Sequence, residues 1–333
     1  MGRLIPKNRR QATHLGVLAL VVLALPLAAD AQPIAKLPRI GVLWQTAPPP
    51  PVHPQTTALL QGLKELGWED GKSVVIEYRY GANQADRLAT FAAELVRLKV
   101  DVITTAGDFS THAARQATTT IPIVALVGFP VESGFVKSLS RPGGNITGVA
   151  VLADVLAMKR LEMLKDLLPR LSRVAVLWDP VTHERQPRAA EAAARTLGLQ
   201  AQILRAQSPE ELAPAFEAAA KARVEALLVL VSPMFLGNRP TFVSLAARHR
   251  IPAMYYSQLW VESGGLVSYG PTAEEQSRLI AGQIDKILKG AQPSNLPIQQ
   301  PTRFELSINL KTARALRMTI PPALLQRADH VIE

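Results

Sequence analysis

The feature that most constrains this chain is an internal repeat. RIGVLW at Arg39–Trp44 returns as RVAVLW at Arg173–Trp178, and a helical stretch ending Leu66-Gly67 returns as one ending Leu197-Gly198. RLATFAAELVRLKVDVITTAG (Arg87–Gly107) is answered by ELAPAFEAAAKARVEALLVLV (Glu211–Val231), and Ala113–Val127 by Ala246–Tyr256. Four segments in one order, offset by about 130 residues, describe two copies of one domain. A chain of 333 residues has room for two such domains.

Each copy alternates short apolar runs with amphipathic stretches. The runs Ile40–Trp44, Val74–Tyr78, Val102–Thr105, Ile123–Val127, Val174–Trp178, Ala226–Val231 and Ala253–Tyr256 are continuous, as in strands buried on both faces of a parallel sheet. Helical periodicity between them gives βαβ units. The expected fold class is therefore α/β: two similar open parallel-sheet lobes joined by a hinge. Gly- and Pro-marked joints at Arg141–Asn145 and from Gly264-Gly265 to Gly270-Pro271 imply at least two crossings. The first lobe is expected over 32–147 with about 270–300 returning to it. The second is expected over 148–269, with about 301–333 packing at the hinge or on that lobe.

The first residues read as an export signal. Arg3, Lys7, Arg9 and Arg10 precede an uncharged apolar run, Leu15–Leu27, too short to span a bilayer, and Ala29-Asp30-Ala31 places small residues at the positions a signal peptidase reads. Residues 1–31 are thus expected to be a cleaved signal peptide. Formal charge is +10; the leader holds four of the 37 Lys and Arg and one of the 27 acids, which leaves +7 on the mature chain. That charge is dispersed over helix faces without interleaved aromatics, so no nucleic-acid partner is expected. With no cysteine there is no disulfide, thiolate metal site or lipidated N-terminal Cys, and with no second apolar span a periplasmic location is expected.

Catalytic and cofactor signatures are missing. GGNITG (Gly143–Gly148) lacks the order of a dinucleotide or phosphate loop, and His183-Glu184 lacks the second histidine of a zincin helix. Ser110 and His112 lie side by side with no third orienting group. No metal, cofactor or enzymatic activity is expected. The scarce aromatics carry the positive signal, since Trp44, Phe109, Phe129, Trp178, Tyr255, Tyr256 and Tyr269 stand at or just past the C-terminal ends of strands, where an open α/β sheet binds ligands. Each could instead belong to the core. Polar candidates beside them are Asp108, Ser110 and Thr111 at a helix start, Asp179 after Trp178, and Ser232; Asp108 and Asp179 could equally be cap or turn residues.

Over nearly its whole length the mature chain resembles the ABC-transporter substrate-binding proteins that include tryptophan- and other aromatic amino-acid-binding members, with the type I periplasmic binding fold. RIGVLW, LKELGWEDGKSVVIEYRY (Leu63–Tyr80), DRLATFAAELVRLKVDVITTAG (Asp86–Gly107), ATTTIPIV (Ala117–Val124), SLSRPGGNITG (Ser138–Gly148), KRLEMLKDLLP (Lys159–Pro169), RVAVLWDP, ESGGLVSYGP (Glu262–Pro271) and Lys286–Leu316 carry the likeness. The resemblance implies a monomeric receptor that binds an amino acid or similar small organic molecule between its lobes and hands it to an ABC permease in the inner membrane. A periplasmic sensory domain feeding a kinase or chemoreceptor is the alternative. The chain departs from relatives in two places: Ala106-Gly107-Asp108-Phe109 stands where they resemble Gly-Gly-x-Pro, and Phe129-Pro130 where Asp-Pro is common. An acid that would hold an amino group is missing at the second position, and either Asp108 compensates or the ligand is not an amino acid.

Overall fold

A computed structural model describes residues 36–46, 54–151 and 153–333. The segment read as a signal peptide lies outside the described residues. The first lobe is built on β1 (Arg39–Trp44), β2 (Val75–Tyr80), β3 (Val102–Ala106), β4 (Ile123–Val127) and β5 (Ile146–Ala150), all parallel in the order β2-β1-β3-β4-β5. Helices α1 (Pro54–Glu65), α2 (Ala85–Arg97) and α3 (Asp108–Ala117) connect them.

The second lobe repeats the scheme. Strands β6 (Arg173–Trp178), β7 (Gln200–Arg205), β8 (Ala226–Val229), β9 (Ala253–Tyr255) and β10 (Val267–Pro271) stand in the order β7-β6-β8-β9-β10, matching the first sheet strand for strand. Its helices are α4 (Val155–Leu167), α5 (Arg185–Thr196), α6 (Leu212–Lys221), α7 (Pro233–Gly237), α8 (Arg239–His249) and α9 (Gln258–Glu262). β11 (Phe304–Asn309), antiparallel to β10, and β12 (His330–Ile332) extend this sheet to seven strands.

The apolar runs are continuous because both faces of each sheet are covered. In β4 every residue is buried: Ile123, Ala125 and Val127 join Leu88, Leu95 and Ala113 of α2 and α3, whereas Val124 and Leu126 join Leu59 and Leu63 of α1. Ile280 and Ile284 complete that second layer from α10 (Ala273–Leu288), so the chain leaves β10 of the second sheet to pack a helix on the first. Each such leucine or isoleucine contributes roughly 1.5–3 kcal/mol by leaving water.

Of the ten strands shared by the two copies, three escape an apolar-run reading. β7 is an edge strand whose exposed and half-buried residues alternate, β5 is interrupted by Gly148, and β10 ends in Gly270-Pro271. The glycine-marked segments therefore lead into strands, where the sequence suggested joints. Arg141–Asn145 runs into β5 and Gly264-Gly265 into β10; the crossings follow at about 151–154, at Thr272 and at about 300–303. Gly148 has a clear cause: its φ is +144°, and a Cβ there would lie 2.0 Å from the Ala125 carbonyl oxygen of the neighbouring strand. Among the described residues, no helix is long and apolar enough to cross a membrane.

Candidate functional site

Parallel strands of both sheets end at a cavity of about 120 Å³ between the lobes. The first lobe contributes Trp44 and Gln45 at the end of β1, Asp108 at the start of α3, and Phe129 just past β4; the second contributes His183 past β6, Ser232 past β8 and Tyr256 past β9. Gln276, in the first turn of α10, also reaches it.

The lobes meet around this cavity. Gly107, with φ +99°, precedes α3, and a Cβ on it would stand 2.4 Å from Gln45 Oε1 and 3.1 Å from Cγ of Pro233 in the other lobe. Only glycine combines that backbone with so close an approach. The Phe129 and His183 rings face each other across the cleft with centroids 4.9 Å apart, and the Arg185 guanidinium lies 5.6 Å from the Phe129 ring. Arg185 also pairs with Glu132 of the first lobe and, at 3.0 Å, with Asp154.

The aromatic walls offer little free polarity. Trp44 Nε1 donates to Thr56 Oγ1 at 3.2 Å, and the Tyr256 hydroxyl donates to the Ser232 carbonyl at 2.8 Å. Gln186 is closed on itself, its amide exchanging two hydrogen bonds with the Val231 backbone. Asp108 stands apart: its carboxylate has no hydrogen bond or ion pair with any described residue. Burial pushes its pKa up to about 6, opposed by the nearby His183. Gln45 is 3% exposed, and its Oε1 is buried without a partner.

Of the residues singled out in the sequence, Trp44, Asp108, Phe129, Ser232 and Tyr256 line the cavity. The others do not. Phe109 packs on the first-lobe core; Ser110 Oγ donates to the carbonyls of Ala106 and Gly107, both at 3.0 Å; Thr111 Oγ1 bonds to the Gly107 carbonyl and to Thr105 Oγ1, both at 2.8 Å. Trp178 lies in the second-lobe core with Arg205 over its ring, and Tyr255 stacks on Trp260 with centroids 4.7 Å apart. Tyr269 packs against Phe304, and its carbonyl accepts from Arg160. Asp179 is buried beneath the site, accepting from Ser232 Oγ at 2.6 Å and from the Val181 N–H; burial raises its pKa and these bonds oppose the rise. Tyr255 and Tyr256 part because consecutive residues along a strand point to opposite faces, whereas Phe109, Ser110 and Thr111 lie on α3 and turn into the first lobe.

Gln45, His183 and Gln276 were not read from the sequence as site residues. Gln45 had a signal, since it follows Trp44 as Asp179 follows Trp178; Gln276 had none, because only the return of α10 brings it to the cleft. Among the described residues no group of three His, Asp or Glu is placed to hold a metal. Ser232 Oγ donates directly to the buried Asp179 carboxylate, with no histidine between them as a nucleophile would need.

Residues 50–332 match the family model for ABC transporter substrate binding proteins. The chain is 26% identical over 263 residues, 78% of its length and 75% of the relative's, to a tyrosine-binding protein of Clostridioides difficile. Among solved structures, it is similar to a conserved domain protein from Vibrio cholerae (TM-score 0.82, 26% identity) and to an ABC domain in complex with L-Trp from Streptococcus pneumonia (TM-score 0.80, 25% identity). Both comparisons cover 89% of this chain and 100% of the other. The fold is that of type I periplasmic binding proteins, and proteins of this family bind solutes without transforming them. The chain belongs to the ABC transporter substrate-binding protein family.

Proposed function

We propose that this protein is the solute receptor of an ABC import system, taking a small organic molecule into the interlobe cavity and delivering it to a membrane permease. The carrying observation is that both lobes build the cavity, with apolar walls at Trp44, Phe129 and Tyr256 and two unpartnered acceptors at Asp108 and Gln45. Apolar walls with a few oriented polar groups fit a ligand with an aromatic or aliphatic body and one polar end. The class includes the aromatic amino acids bound by its relatives. Since closure joins residues of both lobes around the ligand, binding selects the closed form, and the closed outer surface is what a permease reads.

The basic and apolar start of the chain supports export to the periplasm. The test is a panel of amino acids, carboxylic acids and small nitrogenous compounds, read by thermal shift and small-angle scattering. At least one compound is expected both to raise the melting temperature and to reduce the radius of gyration. A panel in which nothing does either removes the receptor reading.

A further inference from the structure

We propose that the cavity is built for a cationic, carboxylate-free amine with an aromatic body, an arylalkylammonium, whose nitrogen seats against Asp108 and Gln45. The inference rests on the solute-receptor reading and narrows its ligand class.

The first ground is a surplus of acceptors. Asp108 presents a carboxylate to the cavity with no donor among the described residues. Beside it lies Gln45 Oε1, also unpartnered, over the backbone of Gly107 that precedes Asp108. A half-buried carboxylate and a buried amide oxygen, both without donors, call for several N–H groups on one charged atom, and an ammonium supplies three.

The second ground is that no permanent cation among the described residues lines the cavity to hold a ligand carboxylate. No lysine or arginine of the described residues lines the cavity, and the sequence of 47–53 and of position 152 contains neither. Arg185, at the rim, is engaged by Glu132 and Asp154. His183 Nδ1 is taken by the Arg185 backbone N–H at 3.2 Å. Helix N-termini attract anions, but α3 and α10 carry acids in their first turns, Asp108 and Glu274 with Glu275, and Glu184 is the N-cap residue of α5; the short helices α7 and α9, which also reach the cavity, have their first N–H groups capped by Ser232 and Ser257. A carboxylate brought to α3 would stand beside that of Asp108. Along the walls it would meet the Trp44 and Tyr256 rings, whose N–H and O–H are already donated elsewhere.

The experiment is isothermal titration of the purified protein with tryptamine and tyramine against L-tryptophan and L-tyrosine at neutral pH. One amine is expected to bind at least tenfold more tightly than its parent amino acid. Asp108→Asn and Gln45→Leu are each expected to weaken the amine at least tenfold, while the Asp108→Asn protein melts no lower than the parent, which separates lost recognition from lost folding. An amino acid that binds as tightly as its amine overturns the proposal and leaves the receptor reading intact. Amine binding unchanged in Asp108→Asn also overturns it. So does silence from all four compounds, with the receptor reading then decided separately by the wider panel.

Discussion

Trp44 and Trp178 end equivalent strands of the two lobes, and each donates its indole N–H to a threonine hydroxyl, Thr56 at 3.2 Å and Thr182 at 3.1 Å. The pair records the internal repeat in three dimensions. It also shows how the copies diverged, since Trp44 lines the cavity while Trp178 sits in the second-lobe core under Arg205.

Exchanging each tryptophan separates the two roles. Trp44→Leu is expected to weaken ligand binding at least about tenfold, about 1.4 kcal/mol, by removing an aromatic wall. Trp178→Leu is expected to lower the melting temperature and leave affinity within about twofold. Titration calorimetry beside thermal melts checks both; equal losses of affinity would remove the distinction.

Asp108 gives a pH signature. Its folded pKa of about 6 lies above the ordinary 3.8, so the folded state holds the proton more tightly than the unfolded state. Below about pH 4 both states are protonated and nothing is lost. As pH rises through 6 the folded protein must carry an unpaired, half-buried charge, a cost on the order of 3 kcal/mol that then stays constant. Asp108→Asn removes that cost. The variant should match the parent below pH 4 and melt higher above pH 6, whereas a parallel offset at all pH values would contradict this. His183 and Tyr256 are the other titratable groups lining the site, and both are unchanged in the comparison.

Gly107 tests closure. In Gly107→Ala the new Cβ meets Gln45 Oε1 and, across the cleft, Pro233, in a backbone conformation alanine avoids. We expect a folded protein that no longer compacts on adding ligand, seen by small-angle scattering. Full compaction would show that the lobes close without this contact.

The Arg185–Glu132 pair spans the lobes at a half-exposed rim, so its contribution is modest, under about 1 kcal/mol. Glu132→Gln should raise the ligand dissociation rate a few-fold at low salt and less at high salt. No change in stopped-flow dissociation at low salt would mean that the pair does not help hold the closed form.

Much of this was legible in the sequence. The repeat and continuous apolar runs gave two open sheets, because burial on both faces leaves that pattern. Strand ends pointed to Trp44, Phe129 and Tyr256. What could not be read was the side of the sheet on which each strand-end residue falls: Tyr255 and Tyr256 are adjacent, yet the first stacks on Trp260 and the second lines the cavity. Residues from distant segments were also hidden. Gln276 reaches the cleft only because α10 returns to the first lobe, and Asp179 is occupied by Ser232 through an approach no local pattern encodes.

Native mass spectrometry of the protein as isolated from its native host tests the central claim most directly. The account predicts a single small adduct, released on denaturation and absent from Trp44→Leu. If wild type and variant show the same bare mass, or an adduct that survives denaturation in both, the interlobe cavity is not a reversible solute site.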